Sequence, residues 1–226
     1  VCYTPSGMAA VLRRLGYVYK KAKLVPGKAN AAAQREFLED YENAKKNSHK
    51  DDVIMFMDAT HPQHNPVIAC GWIKRGEEHP IKSNTGRRRL NINGAIDVQR
   101  MSAEIRFDET IDATSTIALF EQIERANPLA RRITIICDNA RYYRSKAVAE
   151  YLENSRINLL FLPPYSPNLN LIERFWKFFK RQVLYNRYYE AFNDYKNACK
   201  HFFRELDSHA AQLRSLLTEN FEIIGN

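Results

Sequence analysis

The sequence predicts an α/β fold: a mixed five-stranded sheet with helices on its faces and a small helical piece in front of it. Three observations lead there. Two short runs, Val53-Ile54-Met55-Phe56-Met57 and Ile133-Thr134-Ile135-Ile136-Cys137, are too short for ordinary helices and apolar on both alternating faces, as strands in a sheet interior must be. Further strand patterns follow the first run, whereas helix and strand alternate around the second. A length of 226 residues suffices to bury a good core in one domain of moderate size.

In chain order, Thr4-Pro5-Ser6 is a helix-start signal, Met8, Val11, Leu12 and Leu15 recur at helical spacing, and Gly16 is a natural stop. Tyr17-Val18-Tyr19 then reads as a short strand. A basic helix followed by a small strand is what the end of a winged helix-turn-helix would leave; a small helical cap on the core is the plainer account. Because the chain begins with valine and supplies one clear helix here, a piece of a longer protein is expected. Val25-Pro26-Gly27-Lys28 reads as a linker, dividing residues 1–28 from a main domain over 29–226.

Residues 31–47 form a helix with Phe37, Tyr41 and Ala44 on one side, bracing that domain. Residues 67–74 and 88–97 read as further strands, the second alternating Leu90, Ile92 and Ile96 against Asn91 and Asn93, which suits an antiparallel meander. A crossover helix over 115–127, carrying Ile117, Phe120 and Ile123, leads into the strand that stops at Asp138. The next helix spans 145–154 and the next strand 157–162. The prolines of Leu162-Pro163-Pro164-Tyr165-Ser166-Pro167 then forbid both strand pairing and helix continuation. A helix restarts over about 169–184, with Ile172, Phe175, Trp176, Phe179 and Val183 in one core-facing stripe. Farther on, Tyr189, Phe192, Tyr195, Phe202 and Phe203, then Leu213, Leu216 and Leu217, keep a helical spacing that assigns them to core packing ahead of base stacking or a partner interface.

Against this frame three carboxylates stand out. Asp58 and Asp138 end the two apolar runs, so neighbouring strands would present both at one rim of the sheet. Crowded carboxylates repel, and a divalent cation is the usual remedy. Glu173 lies in the first turn of its helix, off the apolar stripe, where an acid complements the helix dipole; Lys177 and Lys180 follow it on the same row. Plainer accounts exist for each acid. Asp58 and Asp138 would be ordinary turn residues, and Glu173 the far half of a capping box with Asn170.

The segments Asp58-Ala59-Thr60-His61-Pro62-Gln63-His64-Asn65-Pro66, Asp138-Asn139-Ala140-Arg141 and Leu162-Pro163-Pro164-Tyr165-Ser166-Pro167-Asn168-Leu169-Asn170-Leu171-Ile172-Glu173 resemble the three signature blocks of Tc/mariner-superfamily transposases, in the bacterial insertion-sequence branch with an Asp, Asp, Glu triad. The resemblance runs over residues 50–185, with weaker likeness upstream. It implies a ribonuclease H-like catalytic domain preceded by the remnant of a DNA-binding domain. It also implies that Asp58, Asp138 and Glu173 are both catalytic and metal-binding, holding two Mg2+ ions that Mn2+ would replace. The reaction implied is hydrolysis at the transposon end followed by attack of the freed 3'-hydroxyl on target DNA, with TA as the family's expected target. Where some relatives carry a histidine shortly after the second aspartate, this chain has Tyr142 and Tyr143, so no catalytic histidine is assigned there. A domesticated transposase that only binds DNA, or another ribonuclease H-like nuclease, are the competing readings. The intact triad speaks against the first and the long proline block against the second.

Charge gives independent bounds. Lys plus Arg outnumber Asp plus Glu by 34 to 26, a net charge of +8, and the excess is clustered. Residues 1–30 hold Arg13, Arg14, Lys20, Lys21, Lys23 and Lys28 without an acid, and residues 174–187 hold Arg174, Lys177, Lys180, Arg181 and Arg187, again without one. Such clustering fits double-stranded DNA as partner, although a charge run is often only a solvated face. The DNA contacts expected are Arg13, Arg14, Lys20, Lys21, Lys23, His61, Arg87, Arg88, Arg141, Arg174, Lys177, Lys180 and Arg181, in a protein that acts as a homodimer on DNA. His61 is expected to orient the site or touch DNA, since two histidines, His61 and His64, without thiols are weak metal-site material. Cys2, Cys70, Cys137 and Cys199 lack zinc-like spacing, two of them fall in strand patterns, and reduced, packed cysteines suit the cytoplasm. No apolar stretch approaches the ~20 residues that cross a membrane, and no signal peptide is visible, so a soluble cytoplasmic protein without membrane contacts is expected.

Overall fold

The computed structural model describes residues 3–20 and 25–225. At its centre β1 (Val53–Thr60), β2 (Asn91–Asp97), β3 (Ser102–Asp108), β4 (Ile133–Cys137) and β5 (Ile157–Phe161) form one sheet in the order β3-β2-β1-β4-β5. The first three strands are an antiparallel meander, while β4 and β5 add in parallel to β1. The two apolar runs lie side by side as expected, with Val53 opposite Ile133 and Phe56 opposite Ile136. Apolar residues on both of their faces demand cover on both sides of the sheet.

That cover comes from α2 (Ala31–Lys46), α3 (Ala113–Ala126), α4 (Lys146–Leu152), α5 (Leu171–Val183), α6 (Phe192–Arg204) and α7 (Ala210–Leu216). On one face Phe56, Ile92 and Ile96 pack with Phe37 and Tyr41 of α2, Phe175 and Phe179 of α5, Phe202 of α6 and Leu213 of α7. On the other, Met55, Met57, Ile135 and Cys137 pack with Phe120 and Ile123 of α3 and Val148 of α4. The C-terminal aromatics are therefore core residues, as their spacing indicates. Local signals set the helix starts: the Asp112 side chain accepts from Ser115 N while the Ser115 hydroxyl accepts from Asp112 N, and Ser145 caps α4. Helix α1 (Pro5–Arg14), capped by Thr4, ends where Gly16 at φ 81° lets Gly16 N reach Arg13 O and Tyr17 N reach Leu12 O.

Several expectations are corrected. Residues 67–74 form no strand; they are mostly exposed coil, joined to the body by a bridge between Val67 and Tyr185 and by two hydrogen bonds between the Ala69 backbone and the Asn186 side chain. The third meander strand is β3, whose Ala103, Ile105 and Phe107 alternate with Glu104, Arg106 and Asp108. A tight turn makes β3 the neighbour of β2: Asp97 Oδ1 accepts from Gln99 N and Arg100 N, and Met101 takes φ 55°. Strand β2 starts at Asn91 rather than 88 and does not alternate, because both its faces are covered; Asn93 is completely buried, and neither its amide nitrogen nor its oxygen has a partner. Tyr17-Val18-Tyr19 is exposed and unpaired, since no strand edge among the described residues lies beside it, and α1 buries none of its residues. Strand β1 runs past Asp58 to Thr60, because β2 keeps pairing as far as Ile92 opposite Thr60. Of the cysteines, Cys137 alone lies in a strand; Cys70 is exposed in coil, Cys199 is buried in α6, and Cys2 lies outside the described residues.

Candidate active site

Strand parity places the first carboxylate. Phe56, Asp58 and Thr60 share the face of β1 that looks toward α5, and Asp58 is paired with Gly94 on β2. A Cβ at Gly94 would stand 2.7 Å from the Trp176 ring and from Ile105, so only glycine lets Trp176 lie on the sheet at this point. The second carboxylate is the first residue beyond β4. Asp138 Oδ1 accepts from Ala140 N at 2.9 Å, so the turn chemistry foreseen for it is present and coexists with its place in the site. Next to it, Asn139 donates to Leu162 O at 2.6 Å and accepts from Arg144, while Leu162 N donates to Cys137 O at 2.8 Å. These bonds tie the start of the proline segment to the turn that carries Asp138.

The chain then turns through Tyr165, at φ 59°, and a short 3-10 turn at Pro167–Leu169 before α5 begins. No capping box forms between Asn170 and Glu173. Asn170 makes no side-chain cap, Glu173 N donates to the Asn170 carbonyl at 3.1 Å, and the Asn170 Oδ1 atom is buried without a partner. The Glu173 carboxylate is thereby left to the cavity. Beyond the predicted stripe, Phe178 is also buried, so α5 is apolar over a wider arc with Glu173 and Lys177 on what remains.

Asp58, Asp138 and Glu173 all line one pocket of about 450 Å³, whose other walls are Asn139, Ala140, Asn170 and the 162–167 segment. A smaller hollow of about 300 Å³ shares Asp58 and Glu173 and continues past Thr60, Trp176, Lys177, Lys180 and Tyr185. Burial, with Asp138 and Glu173 nearby, pushes the Asp58 carboxyl up to about 7 against the opposing pull of the Ala59 backbone and Lys180. Glu173 is also raised, by burial and then by Asp138, with Lys180 opposing. Both shifts describe a pocket with more negative charge than it can comfortably ionise.

Such a donor set suits a hard divalent cation: three carboxylates wall one cavity, with no thiol or imidazole among the lining side chains. Among the described residues no group of three or more His, Cys, Asp or Glu side chains is gathered closely enough to hold a metal ion.

The foreseen DNA contacts fall into groups. Lys177 and Lys180 line the smaller hollow beside Asp58 and Glu173. Arg141, Arg87, Arg13, Arg14 and Lys20 are exposed. The Arg88 guanidinium lies 3.9 Å from the Phe192 ring centre and that of Arg181 5.3 Å from Phe178, so both also serve packing. Arg174 donates to Thr218 O at 2.7 Å and to Asn220 O, a structural tie. Lys21 and Lys23 lie outside the described residues. His61 bonds Asn91 Oδ1 at 2.8 Å and lines neither hollow, while His64 is buried, bonded to Tyr189 O and stacked on Tyr195. Gly94 has no place in the sequence reading, although a glycine inside a strand pattern is a signal, while Asn139, Asn170 and Trp176 are read there only as block, cap and stripe residues. Among the described residues no helix is long and apolar enough to cross a membrane.

Comparison with known proteins adds a family model described as DDE superfamily endonuclease, matching residues 53–196, and one described as winged helix-turn helix, matching residues 1–41. The insertion element IS630 uncharacterized 39 kDa protein of Shigella sonnei is 25% identical over 114 residues, 50% of this chain and 33% of that protein, so the chain spans about a third of that relative's length. Among solved structures, the Mos1 transposase paired-end complex with left transposon end has a TM-score of 0.69 at 18% identity, covering 96% of this chain and 71% of the other. The catalytic domain of Mos1 mariner transposase has a TM-score of 0.56 at 14% identity, covering 88% and 100%. The Tc/mariner resemblance of the three blocks and the ribonuclease H-like fold it implies are both borne out.

Proposed function

Because this chain belongs to the DDE superfamily endonuclease family, we propose that residues 29–226 are the catalytic domain of an insertion-element transposase. Its substrates are the inverted-repeat ends of the element, which it cuts, and a target duplex, to which it joins the freed 3'-hydroxyl. Residues 1–28 are the end of a winged helix-turn-helix region and its linker, and the working form is a homodimer on DNA in the bacterial cytoplasm. The observation that carries this reading is the convergence of Asp58, Asp138 and Glu173, from three separate stretches of chain, on one pocket. The Mos1 paired-end complexes of the same fold, one with Mn and one with Mg, lend support to the metal dependence.

In this reading Asp58, Asp138 and Glu173 hold Mg2+ or Mn2+. Bound there, the ions would activate the attacking water or 3'-hydroxyl and stabilise the departing alkoxide of the phosphodiester. The protein's own contribution is positional. The Asn139 bonds to Leu162 and Arg144 fix the Asp138 turn, Gly94 lets α5 approach the sheet so that Glu173 faces Asp58, and Lys177 and Lys180 receive the phosphates of the strand. No covalent protein intermediate is needed.

The test is Asp58→Asn assayed on inverted-repeat DNA. Mg2+-dependent cleavage should be abolished while DNA binding is largely retained; full cleavage by the variant would refute the assignment.

A further inference from the structure

Tyr165 has a feature that the chemistry above does not use. Its ring lines the carboxylate pocket, the residue is 55% exposed, and no other aromatic ring among the described residues packs on it. Its backbone sits at φ 59°, where glycine is the usual occupant and a side chain is disfavoured unless that side chain has a use. Prolines at 163, 164 and 167 stiffen the segment that presents it. Over the ring, 5.7 Å from its centre, stands the ammonium of Lys28, from the stretch that precedes α2. Lys28 makes no ion pair among the described residues, and the residues lining this pocket include no lysine or arginine. Lysines thus occur in two places around the site: Lys177 and Lys180 along the smaller hollow, and Lys28 over the ring of Tyr165, itself a wall residue of the larger pocket.

We propose that Tyr165 and Lys28 form a docking platform for one unpaired nucleotide of the DNA strand next to the scissile phosphodiester, its base stacked on the phenol ring and its phosphate met by the Lys28 ammonium. The platform rests on the DNA-cleaving reading and adds to it a positioning role for two residues outside the carboxylates. A base inside a duplex offers no free face to a protruding ring, whereas an unpaired one does, and stacking of this kind tolerates any base. The strand would then run over the carboxylates between two anchored phosphates, and its register would be set by where the helix opens.

The experiment places 2-aminopurine, in turn, at each nucleotide flanking the cleavage point of inverted-repeat DNA and reads its fluorescence on binding the chain without divalent metal. At one position the wild type should quench the probe. Tyr165→Phe should keep the quench, while Tyr165→Ala should lose it and cut about tenfold more slowly once Mg2+ is added. Tyr165→Gly controls for folding: it suits the positive φ, should melt no lower than the wild type, and should still lose the quench. Lys28→Ala should weaken binding and Lys28→Arg restore it. With an abasic residue at the quenched position, wild type and Tyr165→Ala should cut equally. A wild type that cuts but quenches no position, or a Tyr165→Ala that quenches like the wild type, overturns the platform and leaves the transposase reading standing. A wild type that cuts no DNA removes both.

Discussion

Asp58 shows what the site demands of a single side chain. In the unfolded chain this carboxyl ionises near 3.8; in the fold, burial and then the neighbouring acids push it up to about 7. Between those pH values the folded chain keeps a proton that the unfolded chain has released. Metal-free stability is therefore undiminished at low pH and falls as pH rises from about 4 to 7. At about 1.4 kcal/mol per pH unit the gap bounds the loss at roughly 4 kcal/mol, and the part-exposed position of the side chain trims it. Asp58→Asn, neutral throughout, should melt like the wild type at pH 4 and several degrees higher at pH 8, both in EDTA. Calorimetry at the two pH values checks this; equal midpoints at pH 8 would mean that the ionised carboxyl is at ease in the empty pocket. The same discomfort gives a divalent cation something to relieve.

At the scale of elements, the contact between β2 and α5 decides whether Glu173 and Asp58 meet. Gly94→Ala would drive a methyl group into Trp176 and Ile105, at a cost of about 1 to 3 kcal/mol. The expected readings are a midpoint lower by several degrees and a changed tryptophan emission; an unaltered melt would show that α5 has room to shift. Much of this architecture is legible in the sequence where one pattern dominates. Residues 53–57 and 133–137 are apolar on both faces and become adjacent central strands, and the proline block must be followed by a new helix, which fixes Glu173 in its first turn. Strand β3 was passed over because its charged residues mask a faithful alternation, and residues 67–74 misled because Val67, Ile68, Trp72 and Ile73 are apolar yet meet no strand edge. In the site, Asp138 and Glu173 announce themselves by their punctuation. Gly94, Asn170 and the pair of Tyr165 with Lys28 depend on approaches between distant segments, which no local pattern encodes.

For the molecule as a whole, part of the excess positive charge stands beside the carboxylates. Lys177 and Lys180 line the hollow that adjoins the carboxylate pocket, while Arg13 and Arg14 ride on α1, a helix that buries nothing. Replacing Lys177 and Lys180 with alanine should weaken DNA binding at all sequences and reduce the dependence of log affinity on log salt by about one per lost phosphate contact. Titrations at several salt concentrations measure that slope, and a slope equal to the wild type would remove these lysines from the DNA path. Residues 218–224 have a reach of another kind. Arg174, next to Glu173, grips the carbonyls of Thr218 and Asn220; Asn168 of the proline block grips that of Glu222; and Gln34 of α2 exchanges two bonds with Ile224. One downstream strip thus laces together the helix that bears the third acid, the loop before it and the brace behind it. On the proposed transposase reading, damage to that strip would leave every reactive group present and blur their aim, so that a lesion some fifty residues beyond Glu173 would be felt as poor marksmanship at the phosphodiester.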